Sequence, residues 1–131
     1  MKKLLSIKSL WRKNSPIFSW QISGKYPPRP LFRPTDPWNG DQIRGQTLMV
    51  DHPLSISKEY WNNFDWLRDL RESKDNNSRK RARELYLDWF SQNSSWNEIS
   101  WDPKTLSNRI INILLCYGCF AETADDEFQE K

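Results

Sequence analysis

Six of the eight prolines in this chain fall between residues 16 and 37, in SPIFSWQISGKYPPRPLFRPTDPWNG. Each removes a backbone donor and drives its predecessor out of the α region, so the segment cannot be a helix. The chain therefore divides into an extended, proline- and aromatic-rich arm with a following loop over residues 1–56, and a segment over residues 57–131 that is free to be helical. The arm is expected to lay Ile17, Phe18, Trp20, Tyr26, Leu31, Phe32 and Trp38 across another surface, and residues 17–22 can form a short strand. A turn or short helix near residues 41–49 then precedes a stop at Pro53.

After Ser57 the apolar period becomes helical. Tyr60, Trp61, Phe64, Leu67 and Leu70 recur at three and four residues, with charges on the other faces. This predicts a first helix near 57–72, capped by Ser57 and ended by the polar run 73–78. A second helix near 78–91 gathers Ala82, Leu85, Tyr86 and Trp89 on one side, with Lys80 and Glu84 four residues apart outside. Asp102 followed by Pro103 is an N-cap carboxylate before an N1 proline, which starts a third helix near 102–118. Its main stripe is Leu106, Ile110, Ile113, Leu114 and Tyr117, but Ile111 and Leu115 are apolar too, so it is expected to be buried on more than one side. Thr123 followed by Asp125, Asp126 and Glu127 reads as the start of another helix near 124. So short a helix with no apolar face does not support itself. The chain reads either as the beginning of a larger helical protein or as a small domain with a frayed acidic tail.

At 131 residues and 37% hydrophobic content there is material for one modest domain, and its core is built from large rings, with eight Trp, six Phe and four Tyr. The net charge of +3 is uneven, because residues 1–35 carry eight Lys or Arg and no acid, which leaves 12 basic against 17 acidic residues elsewhere. Such an arm suits phosphate or an anionic surface, and suits a solvated tail equally. MKKLLSIKSLWRKNS imitates a secretion signal, but Lys8 interrupts the apolar run and no small-residue cleavage site follows. No stretch has the ~18 apolar residues of a membrane span. The reading is a soluble, cytoplasmic chain, with the periplasm as the alternative compartment.

The residues that could carry chemistry have bland readings as well. Cys116 and Cys119 have the spacing of a redox pair or half a metal site, but they fall late in an apolar helix, where the dipole disfavours a thiolate, and His52 is the one imidazole available as a further ligand. Buried thiols are the preferred reading, with no metal and no cofactor. His52 beside Asp51 resembles a base with its orienter, yet adjacent residues of an extended segment point apart, so it reads as a loop residue before Pro53. Tyr60, Tyr86 and Tyr117 sit on apolar stripes and read as core. SRKRAR at residues 78–83 is the best argument for nucleic acid, but Glu84 and Asp88 follow at once, and residues 62–90 balance seven basic against six acidic groups. Nucleic acid is accordingly the weaker partner. Trp38, Trp96 and Trp101, in loops or at helix starts, are the rings free to stack on sugars.

The collinear runs DPWNGDQIRGQTLM, NNFDWLRDLRE, RARELYLDWF and SWNEISWDPKTLSNRIINILL, followed by the ADDEF helix start, resemble the N-terminal region of bacterial heparinase II/III-like proteins, a polysaccharide lyase family. The resemblance covers roughly residue 16 to the C-terminus and is carried most specifically by Asp36-Pro37-Trp38 with Gly40-Asp41, by residues 64–71 and by residues 101–109. It implies helical hairpins of an incomplete (α/α) toroid, which in full-length members precedes a β-sandwich. It also implies an ancestry in β-elimination of uronic-acid-containing polysaccharides. The family's catalytic groups lie further along the toroid and in the β-domain, so no catalytic residue carries over to this chain, and His52 and Tyr60 match none. The expectation is thus an N-terminal helical fragment, inactive alone, whose partners are a polysaccharide or the missing toroid and β-sandwich. The alternative is a small basic helical module that binds nucleic acid or another anion.

Overall fold

The computed structural model describes residues 29–129 together with Pro16, Trp20 and Gly24. Pro16 and Trp20 are helical, against the expectation that the proline-rich segment excludes a helix and that residues 17–22 form a strand, and Trp20 is 76% exposed, not laid on a surface; Ile17, Phe18 and Tyr26 of the arm lie outside the described residues. The helices are α1 (Gln42–Thr47), α2 (Lys58–Asn63), α3 (Trp66–Glu72), α4 (Asn76–Gln92), α5 (Pro103–Phe120) and α6 (Asp126–Gln129), with a 3-10 turn at Pro53–Ser55. No strand occurs among the described residues, so the architecture is all-α. Helix α3 lies at the centre, packed by α1, α4 and α5, while α2 packs on α5 and on the 3-10 turn.

The helix expected near 57–72 is two helices. Ser57 caps α2 by accepting from the Tyr60 amide, but the chain turns at Phe64, which adopts the left-handed conformation at φ 63°. That conformation costs a bulky residue of order 1–2 kcal/mol, and the ring's burial offsets it. Phe64 is fully buried and meets Trp66, Trp89 and Tyr86 at centroid distances of 5.0, 5.3 and 5.9 Å. The break leaves carbonyls at the end of α2 short of helical partners, and side chains reach the last three of them, Trp61 O also accepting from the Phe64 amide. The Trp66 indole donates to Trp61 O (3.2 Å), Arg109 Nη1 to Asn62 O (3.0 Å) and Asn112 Nδ2 to Asn63 O (2.9 Å).

Those last two donors explain the buried face of α5. Its N-terminus is built from Asp102, which accepts from the Lys104 and Thr105 amides ahead of Pro103 at the first position. Its packed face, however, is Arg109, Asn112, Cys116, Tyr117 and Phe120, and Ile110, Ile111 and Leu114 stay 47%, 49% and 37% exposed. The expected stripe is therefore corrected at Ile110 and Leu114, while Tyr117 is buried and Ile113 packs on the core as expected. The polar pair is inside because α2 ends against it, and a buried polar group stands where it completes a hydrogen bond.

Helices α3 and α4 form an antiparallel hairpin with Phe64, Leu67, Leu70, Leu85 and Trp89 inside, each at most 2% exposed. Helix α4 begins at Asn76, earlier than expected, because the Asp75 carboxylate accepts from the Ser78 amide. Residue Asp125, rather than Thr123, accepts from the first turn of α6 through the Phe128 amide. Of the arm, Leu31 and Phe32 are 93% and 76% exposed instead of laid on a surface. Arg33 holds this part of the chain, pairing with Glu122 and standing 6.0 Å from the centre of the Tyr117 ring.

Candidate functional site

The block DPWNGDQIRG builds a polar joint between the end of the arm and α3. Asp36 starts it as an Asx turn, accepting from the Trp38 amide at 3.0 Å. Its carboxylate, 3% exposed, is gripped by Arg68 Nε at 2.9 Å and Arg71 Nη1 at 2.5 Å. Burial alone would raise the Asp36 pKa, but the two guanidinium groups and the Trp38 amide outweigh it and hold the carboxyl below the usual range. Arg71 also donates to Trp38 O (2.7 Å) and to Glu72 (3.2 Å). Glu72 accepts from the Gly40 amide at 3.1 Å, and this bond first, then Arg71, lowers its carboxyl against the opposing effect of burial.

Two glycines let the backbones approach. A Cβ on Gly40 would stand 2.3 Å from Arg68 O, and one on Gly45 would stand 2.2 Å from Asp69 O. Any side chain at either position collides with the α3 main chain, which is why the block carries glycine twice. Asp41 between them caps α1 through the Arg44 amide (3.0 Å), and its own amide donates to Asp69 Oδ1 at 2.7 Å.

Beside the joint lies a cleft of about 400 Å³ lined by Asn39, Gly40, Asp41, Arg44, Tyr60, Asp65, Arg68 and Asp69. Its ionisable groups are already engaged. The Tyr60 hydroxyl donates to Asp69 Oδ2 (2.5 Å), while Arg44 stands 3.6 Å from the same oxygen and 5.6 Å from the Tyr60 ring centre. Burial, and then the Asp69 carboxylate, push the Tyr60 phenol far up, so it remains protonated and serves as a donor, not as a base. Asp65 accepts from Asn112 at 2.9 Å. The arrangement can orient a ligand at its rim, and its own protons are committed to structure.

The three tryptophans singled out for sugar stacking fall in different settings. Trp38 stands at the edge of the joint, 60% exposed, with the Arg68 guanidinium 5.8 Å from its ring centre. Trp101 is half-buried, its indole donating to Asn93 O (3.1 Å) and its ring 5.9 Å from Trp89. Trp96 is half-buried in the same 93–101 connection. Trp38 and Trp101 thus belong to separate clusters.

His52 meets Asp88 instead of its neighbour Asp51. Its Nδ1 accepts from the Leu54 amide (3.1 Å), which puts the proton on Nε2, 3.1 Å from Asp88 Oδ2. Its ring packs edge-on against Trp61 at 4.4 Å, so both nitrogens and one face are engaged. In SRKRAR, Arg81 donates to Leu48 O (3.0 Å) and Asp51 O (3.2 Å), and Arg83 to Phe120 O (2.6 Å) and Thr123 (2.8 Å). Half of that basic run ties carbonyls of other elements to α4.

Sequence reasoning missed Arg109, which is 2% exposed and has no carboxylate partner among the described residues. It bridges Asn62 O (3.0 Å) and Ser100 O (2.8 Å), and its guanidinium lies 4.1, 5.1 and 5.8 Å from the ring centres of Trp89, Trp101 and Phe64. Burial lowers its pKa to about 10, so it is still charged at neutral pH. A cation against the carbonyl end of α2 is favoured by that helix's dipole. The signal available was the i, i+3, i+7, i+11 spacing of Arg109, Asn112, Cys116 and Phe120 on one face of α5.

No helix among the described residues is long and apolar enough to cross a membrane, and none of them form a group of three or more His, Cys, Asp or Glu that could hold a metal ion. No family model, curated protein or solved structure matches this chain.

Proposed function

We propose that this chain is the N-terminal helical segment of a heparinase II/III-like polysaccharide lyase, which supplies the first hairpins of an (α/α) toroid and is catalytically inactive alone. The observation that carries the reading is the second face of α5. One side of the helix is committed to α2, α3 and α4, while Ile110, Ile111 and Leu114 lie together on the other, half exposed, where further toroid helices would pack. The convergence of the resemblance's own blocks adds support. Residues 36–45 dock on α3, and Arg109 of the third block closes the end of α2 beside Phe64 and Trp89. In this reading the three blocks are a packing set, and the polysaccharide meets the segment at Trp38, whose exposed ring offers a face for a sugar.

The chain alone is expected to bind a dye specific for apolar surface under native conditions, and to lose that binding when Ile110, Ile111 and Leu114 are all replaced by Lys. It should release no unsaturated uronate, followed by ultraviolet absorbance, from a panel of uronic-acid polysaccharides. A cooperatively melting wild-type monomer without dye binding would defeat the segment reading, and turnover would defeat the inactivity. The nucleic-acid alternative draws no comparable observation, since Arg81 and Arg83 are engaged within the fold.

A further inference from the structure

A second cleft, of about 310 Å³, opens where the α3–α4 turn faces the end of α5, with Leu67, Leu70, Ala82 and Phe120 as its apolar lining. Its polar wall carries Arg71, Lys74 and Arg79 against one carboxylate, Glu72. Arg71 and Glu72 are occupied by the Asp36 joint, whereas Lys74 and Arg79 make no ion pair with any of the described residues. The volume is at the low end for a small-ligand site, and two uncompensated cations over an apolar floor suit a compact organic anion.

A thiol stands in this wall. Cys119 is half-buried and lines the cleft, and Cys116, 1% exposed, lies one helical turn behind it. Positions i and i+3 of a helix have Cα atoms about 5 Å apart, inside the range a disulfide spans. As a thiol, Cys119 donates to Cys116 O at 2.9 Å, and both this bond and the helix's carbonyl end favour the protonated form. Against them, the Cys116 thiol donates to the Cys119 sulfur, and Arg71 and Arg79 add positive charge, so Cys119 is held below the ordinary thiol range despite its burial. Cys116 is pushed up by the same thiol pairing and by burial, which marks it as the partner that keeps its proton. Arg71 Nη1 lies 3.9 Å from the Cys116 sulfur.

We propose that Cys119 and Cys116 form a thiol–disulfide exchange pair for small disulfides that carry carboxylates. Lys74 and Arg79 hold the carboxylates, and the Cys119 thiolate attacks one sulfur of the bound R–S–S–R. That bond breaks, a protein–S–S–R mixed disulfide forms, and the first RS⁻ leaves and takes up a proton. Cys116 then loses its proton to solvent and attacks the Cys119 sulfur, expelling the second RS⁻. The dithiol is oxidised by two electrons and the small disulfide is reduced to two thiols.

The test uses the full chain and two aryl disulfides, the dianionic dithiobis(nitrobenzoate) and the uncharged dithiodipyridine. Wild type should release two equivalents of aryl thiol per chain and end, by intact mass, two hydrogens lighter with no adduct. Cys116→Ser should release one equivalent and retain the adduct, while Cys119→Ser should lose the fast reaction. Lys74→Ala with Arg79→Ala should slow the dianionic probe about 10-fold more than the uncharged one, which loses only what the weaker thiolate stabilisation without Arg79 costs. A stable adduct on wild type, thiols that react only after unfolding in urea, or equal slowing of both probes in the double variant would each overturn the assignment.

Discussion

Replacing Arg109 by Met tests whether an unpaired cation is a net stabiliser of this core. The substitution leaves Asn62 O and Ser100 O buried without donors, and each bond to a charged donor contributes about 1.5–3 kcal/mol. It also removes a guanidinium from close over Trp89 and Trp101, contributing roughly 0.5–1.5 kcal/mol apiece. Opposing these losses, burial holds the Arg109 pKa at about 10 against an ordinary 12.5, and relief of that penalty returns on the order of 3 kcal/mol. The balance is a loss of about 1–6 kcal/mol, centred near 3, large beside the ordinary total stability of a small domain. Urea unfolding followed by tryptophan fluorescence reads it directly, because Trp89 and Trp101 flank the substituted site. Arg109→Lys keeps the charge but loses the guanidinium plane over the Trp89 and Trp101 rings, and should fall between wild type and Met. If Met matches or exceeds wild type in stability, the carbonyl bridge is not what holds the end of α2, and the account of the buried polar face is wrong.

Gly45→Ala should cost about 2–3 kcal/mol, since the new Cβ would stand 2.2 Å from a backbone oxygen, and should raise amide exchange across α1 more than across α4. Unchanged exchange at α1 would contradict the close approach. Asp36→Ala leaves Arg68 and Arg71 without their shared carboxylate and should lower stability by about 2–3 kcal/mol, less than a fully enclosed pair because both arginines are about one-fifth exposed. Because the Asp36 and Glu72 carboxyls are depressed in the fold, they contribute stability that is present above about pH 4 and lost as pH falls below it. The Asp36→Asn, Glu72→Gln variant should therefore melt with a flatter acid limb than wild type, and an unaltered limb would mean that the joint does not titrate.

Local signals in the sequence were read where their cause is local. Ser57, and Asp102 before Pro103, cap helices because a side-chain oxygen reaches amides two or three residues on, and that rule needs no tertiary partner. The interior of the α3–α4 hairpin was legible for a similar reason, since Leu67, Leu70, Leu85 and Trp89 repeat at helical spacing among charges. The break at Phe64 was not, because the period from Tyr60 to Leu70 runs straight through it. What ends α2 is a set of donors, Arg109 and Asn112, that come 47 and 49 residues after the carbonyls they satisfy.

The same non-local cause turns the buried face of α5 away from Ile110 and Leu114. An apolar stripe predicts which face a helix buries only when its neighbour offers an apolar surface, and here part of the neighbouring surface is the exposed carbonyl end of α2. The face that meets it must supply donors, so Arg109 and Asn112 turn inward and Ile110 and Ile111 turn out, while Ile113 still packs on the core. The candidate joint follows the same logic on a smaller scale. Asp36-Pro37-Trp38 and Gly40-Asp41 look like a loop motif in sequence, and their meaning appears only once Arg68, Asp69, Arg71 and Glu72 of α3 are set against them. The charges on the other faces of α3 are thereby the surface on which the arm is docked. Its charges act as connectors, so truncating Arg68 should detach residues 36–41 before it loosens the hairpin itself. Amide exchange that rises first in α3 and α4 would reverse that order and show the joint to be an ornament on the hairpin instead of its brace.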